Sequence, residues 1–135
     1  MGTWDTGPFD NDVAADFGGK LDALPQDQRA AAIREALSEA AECDDYLDEV
    51  IGTHAIAAAA LVARELADGA HFVSPAYGPQ QPLPPLPPEL KALAIAAIDR
   101  TVAADSEIAE EWGDPLEETA WYQGTLKLRA ALAPE

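Results

Sequence analysis

Several side chains in this 135-residue chain have the chemistry to bind or react, and each also has a plain structural use. His54 lies inside an apolar run. An imidazole there is either a general base or a neutral core group hydrogen-bonded to a carbonyl or carboxylate. Just ahead of it, Asp44, Asp45, Asp48 and Glu49 form an acidic cluster. On a helix, 44/48 and 45/49 are carboxylate pairs one turn apart, of the kind a divalent cation uses. No histidine falls at a matching position, and the electrostatics of a helix start explain the cluster without a metal. Asp10-Asn11-Asp12 invites comparison with a calcium loop. Ala14, Ala15 and Leu21 then stand where such a loop needs an oxygen ligand, a glycine and a bidentate glutamate, so helix capping accounts better for Asp10 and Asp12.

The remaining reactive groups lead nowhere. Cys43 precedes a helix start, which lowers a thiol pKa, but its acidic neighbours oppose a thiolate. His71 has Ser74 three residues on and nothing nearby to complete a triad. There is no phosphate-binding glycine loop, no GxSxG, no HExxH and no CxxC. No catalytic set, metal site or cofactor motif is therefore assigned, and an enzyme has no positive support.

These residues must be held by helices. From Asp44 to Leu66 the chain reads as one central helix, with no Asp, Glu, Lys or Arg between Glu49 and Arg64. A run apolar on nearly every side predicts a helix covered by neighbours all round. It is too short for a membrane span, which needs about 18–20 apolar residues. Val13, Phe17, Leu21 and Leu24 recur at helical spacing and predict helix one. Pro25 then suits the first position of helix two, whose inner stripe is Ala30, Ile33, Leu37, Ala40 and Ala41, with Arg29, Arg34, Glu35, Glu39 and Glu42 facing away. Pro88-Glu89 opens helix four, with Leu90, Leu93, Ala94, Ala97, Ile98 and Val102 inward; residues 106–112 form a short helix five; and Asp114-Pro115-Leu116-Glu117 signals the start of helix six, which continues through Trp121, Thr125, Leu128 and Leu132. Seven of the 11 prolines lie in residues 70–88, which forbids helix there and predicts a stiff, extended strap pinned by residues such as Tyr77.

Alanine is the commonest apolar residue, and strands rich in Val, Ile and Thr are missing. Both features favour helices. The net charge of −17 argues against binding nucleic-acid phosphates, which are neutralised by clustered Lys and Arg. It suits either a solvated acidic surface or a partner with a basic face. One cysteine and no basic, apolar leader point to a reducing cytoplasm.

The opening Gly2-Thr3-Trp4, Gly7, Phe9-Asp10-Asn11-Asp12 and Ala14 resembles that of the bacterial family catalogued as domain of unknown function 4259. Tyr46-Leu47, Ala55 to Ala63, the 106–112 segment, Trp121 and Leu126-Lys127-Leu128-Arg129 resemble its later parts, so the likeness spans nearly the whole chain. Asp5 departs from it, standing where the family commonly has glycine; aspartate tolerates tight-turn geometry better than most residues. The resemblance implies an architecture and no activity. Trp4 and Phe9 would anchor the N-terminal arm on the central helix.

The expectation is an all-α fold, a compact bundle of five or six helices around a buried central helix, with a proline-rich connector, in a single domain over residues 1–135. The expected function is a cytoplasmic protein-interaction module whose acidic surface engages a basic protein partner, as an immunity or antitoxin protein does. Candidate binding residues are Trp4, Asp10, Asp12, Asp48, Glu49, His54 and Tyr77, with no nucleic acid and no membrane involved. One alternative is a small-molecule or metal-binding, enzyme-like domain using Asp10, Asp12, Asp48, Glu49 and His54. Another is a homo-oligomeric structural protein whose strap covers a second copy.

Overall fold

Helical periodicity resolves into six α-helices in the computed structural model, which describes residues 12–65, 86–103, 105–112 and 115–133. In chain order they are α1 (Asp12–Ala23), α2 (Gln26–Ala41), α3 (Glu49–Arg64), α4 (Glu89–Thr101), α5 (Glu107–Trp112) and α6 (Ala120–Leu132). Trp4, Asp10, Tyr77 and the strap between residues 66 and 85 lie outside the described residues, so the expected anchoring arm and connector do too.

The central helix is α3. Eleven of its 16 residues are buried, including the unbroken run from Ala55 to Ala63, and it packs against α1, α2, α4, α5 and α6. Alanines 57 to 60 are fully buried, and their small side chains allow α2 and α4 to approach closely. Leu61 is also fully buried. A side chain of that size contributes about 1.5–3 kcal/mol on leaving water. Around α3 the shell helices present the expected stripes, with Leu21, Ile33, Leu37, Leu90, Ile98, Leu128 and Leu132 completing one core.

Three local expectations are corrected. First, the central helix begins at Glu49 and not at Asp44. Asp48 is its N-cap, with a carboxylate accepting from the backbone N–H of Val50 at 2.9 Å and of Ile51 at 3.3 Å. The residues before it are held extended, because Leu47 forms an isolated parallel bridge with Ser106. The 44/48 and 45/49 helical carboxylate pairs therefore do not exist.

Second, Arg29 points inward. It is 7% exposed, and its Nε donates to the carbonyls of Leu21 (2.9 Å) and Leu24 (3.1 Å) at the end of α1. The guanidinium thus caps carbonyls at the helix terminus. Third, the Pro115 signal starts only a 3-10 turn, Leu116–Glu118. Thr119 is the true cap of α6, its Oγ1 accepting from the Tyr122 N–H at 3.1 Å.

Candidate functional site

The acidic cluster ahead of α3 is joined by a second one that is distant in sequence. The backbone N–H of Leu47 donates to the Asp105 carbonyl at 2.7 Å, and the N–H of Glu107 donates to the Leu47 carbonyl at 2.9 Å. This short ladder lays α5 beside the start of α3. Asp105 makes the connection by adopting φ 61, a left-handed conformation that aspartate tolerates better than most residues. Side chains then cross the junction. Glu107 Oε1 accepts from the Glu49 backbone N–H at 2.9 Å, and the Tyr46 hydroxyl donates to Glu110 Oε1 at 2.6 Å.

The result is one face on which Tyr46, Glu49, Glu107, Glu110 and Glu111 meet, with Asp44, Asp45 and Asp48 on the segment that leads into it. None of these seven carboxylates forms an ion pair among the described residues, whose salt bridges are Arg34–Glu89, Arg64–Glu65 and Arg129–Asp99. The nearby cation, Arg100, is turned toward backbone. Its Nε donates to the Cys43 carbonyl at 3.0 Å, and its Nη2 donates to the carbonyls of Asp45 and Asp105. Arg100 therefore shapes the loop that carries Asp44 and Asp45.

Crowding of like charge perturbs two groups on this face. A hydrogen bond with the Glu49 carboxyl, made possible by a shared proton, pushes Glu111 up to about 7, with desolvation and the Glu49 and Glu107 charges adding to it. The hydrogen bond to Glu110 pushes the Tyr46 phenol up to about 12, so it stays protonated and donating. Tyr46 is nevertheless 48% exposed and Val50 is 42% exposed. With Leu126, they are the large hydrophobic side chains left exposed among the described residues. Of the three, Tyr46 stands on the acidic face through its hydrogen bond to Glu110.

Beneath the face, the Ser106 hydroxyl is fully buried and has no hydrogen-bond partner among the described residues. Gly52 lies at the same contact, where an added Cβ would meet Ile108, Thr101 and Leu47.

His54 faces elsewhere. It lines a cavity of about 530 Å³ between α1, α2 and α3, and its ring stacks on Phe17 with centroids 5.1 Å apart and planes at 26°. Leu21, Leu24, Ala32, Ala36 and Ile51 supply the apolar wall, while Lys20, Glu35 and Glu39 add charge. Burial pushes the His54 imidazole below its ordinary range and Lys20 acts in the same direction, against Glu39 and Asp48. The ring is neutral at neutral pH, and no described residue hydrogen-bonds it.

Glu49 and Asp48 thus belong to the face shared with α5, and His54 belongs to the cavity on another side of α3. Asp12 is an exposed residue at the start of α1, away from both. Among the described residues, no three His, Cys, Asp or Glu side chains meet in an arrangement that could hold a metal ion. No helix among them is long and apolar enough to cross a membrane.

Comparison with known sequences settles the family. The family model described as Domain of unknown function (DUF4259) matches residues 2–124. The chain belongs to this family. No curated protein and no solved structure matches it. The DUF4259 match takes in both the acidic face and the cavity, and ends within α6. Sequence reasoning did not assign Tyr46, Glu107, Glu110 and Glu111 to one face with Glu49, although the spacing of Glu107, Glu110 and Glu111 already marks an acidic helix side. Nothing in the sequence pairs Leu47 with Ser106.

Proposed function

We propose that this protein is an interaction module that binds a basic protein partner through the face shared by the start of α3 and α5. The observation that carries the reading is the exposed Tyr46 beside Glu49, Glu107, Glu110 and Glu111, carboxylates that have no ion-pair partner among the described residues. Interfaces draw their affinity from a few buried anchors, aromatic ones above all, and their steering from complementary charge at the rim. A lysine- or arginine-rich surface supplies the countercharge that the protein itself withholds here. Nucleic acid is the opposite case, since its phosphates would meet a chain of net charge −17.

The test compares capture of basic proteins at low and moderate salt by the wild type, by Tyr46→Ala and by Glu107→Gln/Glu110→Gln. A partner must be retained by the wild type, lost with rising salt and lost in both variants. Retention that ignores salt, or survives both variants, removes the face from the function.

A further inference from the structure

The cavity beside His54 has a composition that selects a ligand of its own. Its volume, about 530 Å³, falls in the range of roughly 300–1,000 Å³ typical of small-molecule sites. Its walls are apolar, with Phe17, Leu21 and Ala36 nearly or fully buried behind the surface they present. Glu35 and Glu39 lie one turn apart on α2, so both carboxylates line the same side. The stacked Phe17–His54 pair offers an aromatic face, and the neutral imidazole offers a nitrogen lone pair to a donor. Lys20 is the single cation in the lining, against two carboxylates. The field of a protein carrying −17 charges further favours a positive ligand over a negative one.

We propose that this cavity binds a small organic amine: an apolar body against Phe17, Leu21 and Ala36, with its ammonium group held by Glu35 and Glu39. The site is separate from the acidic face, since neither Asp48, Glu49 nor any residue of α5 lines it.

Three matched probes test it: 4-phenylbutylamine, 4-phenylbutanol and 4-phenylbutyrate, each titrated into the full chain by calorimetry and by NMR. The amine is expected to saturate, to shift resonances of Phe17, Ile51 and His54, and to bind at least about tenfold more tightly than the alcohol. That factor is the lower end of what one charge-assisted hydrogen bond supplies. The carboxylate is expected to be the weakest of the three. Glu35→Gln/Glu39→Gln is expected to reduce amine affinity to that of the alcohol while leaving the alcohol unchanged. Ala32→Phe, which fills the cavity from α2, is expected to abolish binding of both, with circular dichroism confirming that the variant folds. The proposal is overturned if none of the probes binds, if the alcohol or carboxylate equals the amine, or if the amine binds Ala32→Phe undiminished.

Discussion

Gly52 offers the sharpest test of how α5 is seated. A Cβ built there would lie 3.2 Å from Ile108 Cγ2, 3.4 Å from Thr101 Cγ2 and 3.6 Å from Leu47 Cδ2. Carbon atoms pack best at about 3.5–4.0 Å, so Ile108 must retreat by a few tenths of an ångström to admit even one methyl. Against that stands helix propensity, which favours alanine over glycine by about 1 kcal/mol inside a helix. The two effects oppose, and Gly52→Ala is expected to stay within about 1 kcal/mol of wild type. Gly52→Val carries two further methyls into the same contact and is expected to lose about 2–3 kcal/mol by overpacking. In a domain of this size that lowers Tm by roughly 8 °C. A cycle with Ile108→Ala isolates the contact. Alone, Ile108→Ala is expected to cost about 2–4 kcal/mol for the cavity it leaves. In the Gly52→Ala background it is expected to cost less by at least about 0.5 kcal/mol, because the new methyl occupies part of that space. Urea unfolding followed by circular dichroism measures all five proteins. A Gly52→Val midpoint equal to wild type, or strictly additive double-mutant values, would refute the packing argument.

Two further outcomes follow from the same region. Ser106→Ala removes a buried hydroxyl that has no partner among the described residues and is expected to leave stability unchanged or raise it by about 1 kcal/mol, read from the same urea curves. The raised pKa of Glu111 means that the folded protein holds this proton more tightly than the unfolded chain does. The resulting stabilisation is complete below the ordinary glutamate range and is lost as pH rises through about 7. Solvent screening at this exposed carboxyl limits the loss to about 1 kcal/mol. Glu111→Gln keeps a donor to Glu49 at every pH, so its stability should be flatter between acidic and mildly alkaline buffers. Identical pH slopes for the two proteins would remove the shared proton.

Much of the architecture was legible in the sequence. The stretch between Glu49 and Arg64, free of charged side chains, announces a helix covered on all sides, and α3 is that helix. The stripes on α1, α2 and α4 follow from spacing that repeats once per turn, which is local information. The same locality explains the misses. Asp44 to Asp48 read as helical from their charges, but Leu47 is claimed by a backbone bridge to a residue nearly sixty positions away. Arg29 read as a surface charge, yet α1 ends where its guanidinium can reach the Leu21 and Leu24 carbonyls.

Function divides in the same way. Composition and side-chain type are properties of the sequence alone, and they determined that the protein is acidic, helical and without a recognisable catalytic motif. Which carboxylates stand together is a property of the packed chain. The Leu47–Ser106 bridge brings Glu107, Glu110 and Glu111 beside Tyr46 and Glu49, and the meeting of α1, α2 and α3 opens a cavity at His54. Contacts across such separations depend on the whole core, because the helices take their mutual positions only when their buried faces are satisfied together.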